Sequence, residues 1–330
     1  MATKSSSFFS DSWNVIKTTL KQYAAQLIFL VFIFTALSLM SPVFLKANNL
    51  INVSRQISCN LYIGCALTMV FTQGGIDLST SSIMALSGMI ASLMSLAGLP
   101  FWLCAITALT ACMFVGSITG TILSNTGLPP FIVTSSMRSI LRGMVYVITS
   151  AASIRLTNKS FLAFGGGSLG FLPYPVIYMT VIIILTYIVM ARTKLGRHMY
   201  AMGGNMKAAL FAGINVKRVR VFVYIVSGFC SGLAGLVYTS RNCSMQPALG
   251  EAMELDAIAA VVLGGTSMGG GRGGVLGTVI GAFIIGFINN GLNLLGLDSF
   301  YQYIAKGIII LLAVYLDDIR TRKLLAGGAR

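Results

Sequence analysis

Residues able to do chemistry are few in this chain of 330, and they do not converge on a catalytic set. The lone histidine, His198, stands in a basic stretch with no Ser or Cys nucleophile evidently paired to it. Nothing matches G-x-x-x-x-G-K-[ST], the loop whose backbone N–H groups cradle nucleotide phosphates, so any use of ATP would require a separate hydrolysing chain. Gly269, Gly271 and Gly274 satisfy G-x-G-x-x-G, but they fall between two apolar runs, without the strand-turn-helix setting that gives that fingerprint its meaning. Cys59, Cys65, Cys104, Cys112, Cys230 and Cys243 lack metal-ligand spacing, and most lie in apolar runs where Cys behaves as a small hydrophobe. The carboxylates Asp77, Glu251, Glu254, Asp256 and Asp298 sit at the ends of such runs or between them. Inside a lipid-spanning helix each would cost about 2.5–3.5 kcal/mol, which explains their placement.

The elements that must position these groups are membrane spans. The chain is 56% hydrophobic and 9% charged, with a mean hydropathy of +0.85; a soluble domain carries about a quarter charged residues. A net charge of +15 would suggest nucleic acid in a soluble protein, but here the bases collect between apolar runs, so no nucleic-acid partner is expected and membrane lipid is. At about 20 apolar residues per span, the runs divide into segments near 23–40, 57–72, 79–97, 101–124, 130–149, 174–191, 220–239, 255–268, 275–296 and 302–316. The prediction is an all-α polytopic protein of about ten helices, residues 23–316 forming one transmembrane domain, with segments 1–22 and 317–330 in the cytoplasm. The first run is long and lacks a small-residue cleavage site, so it reads as a retained span. Between Arg192 and Arg220 stand Lys194, Arg197, Lys207, Lys217 and Arg218 without a carboxylate, which puts the loop 192–219 on the cytoplasmic side by the positive-inside rule. All seven prolines fall at boundaries or in loops, where a missing N–H does least harm. Cys59 and Cys243 then both approach the outer face, although spacing alone establishes no bridge. A faint repeat links Val70-Phe71-Thr72-Gln73-Gly74-Gly75 to Val261-Val262-Leu263-Gly264-Gly265.

In this frame several polar groups carry two readings. Asp77, in Gly74-Gly75-Ile76-Asp77-Leu78-Ser79, can cap the following helix or present a polar group to a path at an unwound turn. Asn289 and Asn293 share a helix face with Asn290 beside them, serving either as interhelical hydrogen-bond glue or as the lining of a route for a hydroxylated solute. Arg138, Arg142 and Lys306 fall inside predicted spans and need a partner in the bundle or a route to an interface.

The chain resembles the permease subunits of bacterial ABC sugar importers of the ribose/galactose type from the second span to the last. The resemblance rests on Gly74-Gly75-Ile76-Asp77-Leu78-Ser79, Leu128-Pro129-Pro130-Phe131, Arg142-Gly143, Thr193-Lys194-Leu195-Gly196-Arg197, Gly203-Gly204-Asn205 and Gly213-Ile214-Asn215-Val216-Lys217. It continues in Gln246-Pro247, Glu254-Leu255-Asp256, Gly264-Gly265-Thr266-Ser267, Gly271-Arg272-Gly273 and Asn289-Asn290-Gly291-Leu292-Asn293. It implies a multi-pass protein of the bacterial inner membrane with no catalysis and no cofactor of its own. A second permease copy would complete the path, a periplasmic binding protein would deliver sugar, and a cytoplasmic ATPase would use ATP and Mg2+. Gly203, Gly204, Asn205, Ala208, Ala209, Gly213 and Ile214 would form a short coupling helix docked on that ATPase, while Asp77, Phe131, Asn289, Asn290 and Asn293 would border the path. Met206 and Lys207 stand where the family often has acids, Ala252-Met253 where it has Gly-Tyr, and Thr80-Ser81 where it has Val-Gly, departures that bear on partner charge and sugar contacts. The alternatives are a secondary transporter, which would use titratable carboxylates near the midplane, and a membrane-embedded enzyme, which would need a nucleophile, base or metal set.

Overall fold

A computed structural model of the chain describes residues 23–297 and, from the last apolar segment, 301, 303, 304, 307, 308, 311, 312 and 315. Lys306 and the segments 1–22 and 317–330 lie outside the described residues. Helices α1 (Ala24–Met40), α2 (Ala47–Thr72), α3 (Thr80–Leu96), α4 (Phe101–Asn125) and α5 (Pro130–Thr149) come first. After strand β1 (Ile154–Arg155), helix α6 (Lys159–Gly166) and strands β2 (Ser168–Leu169) and β3 (Leu172–Pro173) come α7 (Tyr174–Arg192), α8 (Lys194–Gly204), α9 (Met206–Phe211) and α10 (Val216–Arg241). Strand β4 (Ser244–Met245), α11 (Met253–Leu263) and α12 (Val275–Leu294) follow. Among the described residues the fold is all-α apart from two small antiparallel pairs, β1 with β4 and β2 with β3. Among the described residues α4, α5, α7, α10 and α12 are long and apolar enough to cross a membrane.

Two expectations about element length change. Helix α2 begins at Ala47, well before the segment expected from residue 57, because Asn48, Asn49, Asn52, Arg55 and Gln56 continue the helix in polar residues that a hydropathy window rejects. Helix α11 ends at Leu263 and not at 268, because Gly265 adopts a left-handed φ of +88°. Its 11 residues span roughly 16 Å, about half of a bilayer's 30 Å hydrocarbon core, so non-helical segments at both of its ends share its depth. Such backbone is tolerated where protein surrounds it.

The core is built on α2, buried at every residue from Ile57 to Thr72, and on α10, which packs across α3 and α4. A Cβ on Gly116 of α4 would meet the Tyr224 backbone, and one on Gly228 of α10 the Cys112 backbone. Small residues at both positions let the helices approach to backbone contact, the source of packing energy that remains when lipid is as apolar as the side chains. Loops expected on a common face do touch: β1 pairs Ile154 with Met245 and Arg155 with Ser244, and the Gly271 N–H donates to the Thr72 carbonyl at 3.0 Å on the opposite side. The six cysteines are free thiols, five buried and Cys243 exposed.

Candidate functional site

The intramembrane charges find partners that are remote in sequence. Arg138 pairs with the fully buried Glu254 at 3.0 Å. One turn along α5, Arg142 Nη1 donates to the Pro247 and Leu249 carbonyls at 2.7 and 2.9 Å. Asp256 accepts from the Asn289 amide at 3.2 Å. Glu254 and Asp256 stand in the first turn of α11, where backbone N–H groups and the helix dipole favour negative charge. Asn290 exchanges hydrogen bonds with Asn49 at 3.0 and 3.1 Å. Both amides therefore tie helices together, while Asn293, on the same face as Asn289, is exposed. Phe131 is 56% exposed in the first turn of α5.

Asp77 is wrapped by protein. It is 1% exposed; one oxygen accepts from the Ser79 N–H at 2.9 Å and the Ser79 hydroxyl at 2.6 Å, the other from Ser227 of α10 at 2.6 Å. The N-cap of α3 is Ser79, so Asp77 fixes the turn before the helix instead of capping it. Tyr224 adds a bond from α10 to the Ile76 carbonyl at 3.0 Å. Gln73, absent from the predicted site, is also 1% exposed, and neither amide atom has a protein partner among the described residues.

On the basic face, the stretch expected as one short helix is a break between two. Gly203 and Gly204 end α8, the Asn205 side chain accepts from the Ala208 N–H at 3.0 Å to start α9, and Gly213, at φ +79°, closes it. The Gly213 and Ile214 N–H groups bond back to Leu210 and Ala209 at 3.0 and 3.1 Å, the left-handed glycine ending of a helix. Ala209 is buried and Ala208 exposed, and Leu210 and Phe211 project 56% and 92% exposed. Sequence reasoning missed these two, since a Leu-Phe pair carries no signal until its helix stands clear of the bundle.

The weak repeat has structural content at this face. Gly74 and Gly75 bond to Phe71 and Val70 at 2.8 and 2.9 Å; Gly265 and Thr266 bond to Val262 and Val261 at 2.8 and 3.1 Å. Each stretch ends its helix with the same paired turn, and both segments beyond converge on α8. A Cβ on Gly203 would strike the Thr72 carbonyl and the Gly271 N–H, and one on Gly270 would lie 2.8 Å from the Gly203 Cα. The end of α8 is thus packed, backbone to backbone, against both helix breaks.

Residues 49–314 match the family described as branched-chain amino acid transport system / permease component. The chain is 44% identical over 282 residues to the ribose import permease protein RbsC of Bacillus subtilis, covering 85% of this chain and 88% of that protein. It is 40% identical over 319 residues to RbsC of Escherichia coli K12, covering 94% and 96%, and 38% identical over 283 residues to the D-allose transport system permease protein AlsC of the same strain, covering 86% and 87%. No solved structure matches. The chain therefore belongs to the branched-chain amino acid transport system / permease component family and is a multi-pass membrane permease.

Proposed function

We propose that the chain is the membrane subunit of an ABC importer that carries a monosaccharide from a periplasmic binding protein across the bacterial inner membrane. A separate ATPase supplies the work with ATP and Mg2+, and a second copy of the chain completes the path. The sugar assignment follows the relatives, whose names specify ribose and allose, over the family's amino-acid description. In this reading about ten spans leave both termini in the cytoplasm; the exposed Phe131 and Asn293 border the route, and the buried Asp77, Asn289 and Asn290 brace the helices that form it. The observation that carries the energy source is α9: a short capped helix among Lys and Arg residues that holds Leu210 and Phe211 out from the bundle. A phenyl ring 92% exposed outside the apolar spans is an anchor awaiting a groove, the role large aromatics play at interface centres. A gradient-driven carrier would need a buried carboxylate that loads and unloads an ion; Asp77 and Glu254 are each held by fixed donors or a cation.

The test is co-purification of the chain with the ATPase of its own system after detergent extraction. Phe211→Asp and Ala208→Glu should each reduce the bound ATPase at least tenfold without shifting the thermal midpoint of the permease. Undiminished association in both would refute docking through α9.

A further inference from the structure

The geometry points to a receiving site for one monosaccharide ring in the cavity between the end of α10 and the start of α11, on the outer face. This inference rests on the sugar-import reading and specifies where in the chain the solute first binds. The cavity holds about 220 Å³ and is lined by Tyr238, Asn242, Gln246, Gly250, Glu251 and Met253 among others. At about 30 Å³ of liquid volume per water it has room for roughly seven waters, the scale of one ring with its hydroxyls and too small for a peptide. Its face follows from the strands: β4, in the same loop, pairs with β1, on the side opposite the basic stretch.

The walls suit a polyol. Each sugar hydroxyl both donates and accepts, and the phenol, two carboxamides and carboxylate of Tyr238, Asn242, Gln246 and Glu251 supply both kinds of partner. None of these four side chains has a protein hydrogen-bond partner among the described residues, so their capacity is free for a ligand. Tyr238 and Met253 add apolar surface for a C–H face of the ring.

The site is also rigid. Arg142 braces the Pro247 and Leu249 carbonyls from within the bundle. Met245, Pro247 and Leu249 are buried while Gln246, Ala248 and Glu251 face outward, so alternate residues tack the loop down and present the polar ones. Cys243, Gly250 and Ala252 hold left-handed φ values of +53°, +72° and +63°. Two of these are non-glycine residues, a strain that persists only where the surroundings over-determine the backbone. Met253, which lines the cavity, begins α11, and the first turn of that helix carries Glu254, paired with Arg138, and Asp256, bonded to Asn289.

The experiment uses the full transporter, this chain with its ATPase and binding protein, in proteoliposomes supplied with D-ribose, D-allose, L-arabinose or D-fructose. Gln246→Ala and Glu251→Gln should each lower uptake at least tenfold while binding-protein-stimulated ATP hydrolysis stays within twofold of wild type. Unchanged uptake overturns the site; loss of stimulation in parallel with uptake also overturns it, by making the residues contacts for the binding protein. A direct readout is maleimide labelling of Ala248→Cys in a Cys243→Ser background, which the transported sugar should slow at least fivefold, and absence of protection counts against the proposal. Failure of the wild type to take up any of the sugars with ATP would instead sink the sugar-import reading, and the site with it.

Discussion

Arg138 and Glu254 stand far apart in sequence, and neither states its partner, yet the fold brings them to 3.0 Å with Glu254 fully buried. Removing one member of a buried pair strands the other's charge. Glu254→Ala should therefore cost about 3 kcal/mol, the lower end of the range for buried pairs, because Arg138 keeps part of its side chain in contact with solvent or headgroups. Thermal unfolding in detergent would show it, and the double variant Arg138→Met/Glu254→Met should recover part of the loss; a double variant worse than the single would contradict the pairing. Asp77 permits a finer test. Asp77→Asn keeps one acceptor for Ser79, whereas Asp77→Ala leaves the Ser79 N–H and the Ser79 and Ser227 hydroxyls without acceptor, so the losses should be near 1 and 3 kcal/mol at about 1–3 kcal/mol for stranded buried groups. Equal losses would show that the carboxylate does not hold the turn. The sequence marked Arg138 and Arg142 as charges inside a span, which are costly, and Asp77 as a carboxylate at a span's end that could cap a helix or face a path. It could not name their partners, which follow from how α5, α10 and α11 pack.

Helix breaks carry the coupling argument at the next scale. Gly203 and Gly204 are adjacent and chemically identical, but a Cβ at 203 would strike the ends of two segments while one at 204 would meet nothing within 4 Å. Gly203→Ala should lower both the thermal midpoint and ATP-driven uptake, with Gly204→Ala within twofold of wild type; similar behaviour of the two would remove the close-packed junction from the account. Gly213→Ala, at φ +79°, should cost about 1–2 kcal/mol for placing a Cβ in left-handed backbone. Asn205 and Gly213 were legible as start and stop signals because capping is local chemistry. The meeting of Gly74, Gly203 and Gly270 was not, since three glycines in separate turns announce only turns. The polar beginning of α2 escaped detection because hydropathy measures lipid immersion, whereas the helix runs on beyond it.

Across the whole molecule, the alternation of basic and neutral loops assigns each loop a side, because each crossing reverses the chain and charge asymmetry chooses the sign. Side-specific labelling checks that frame: Cys243, the exposed native thiol, should react with an impermeant maleimide from the outer face, and Phe211→Cys from the cytoplasmic face alone. Reaction of both from one side would overturn the topology. The division of labour between this chain and a separate ATPase remains the central claim, and solute uptake into proteoliposomes tests it most directly. With the chain, its ATPase and its loaded binding protein present, accumulation of the sugar should require ATP and be indifferent to a protonophore; accumulation by this chain alone, driven by an ion gradient and abolished by the protonophore, would contradict the account.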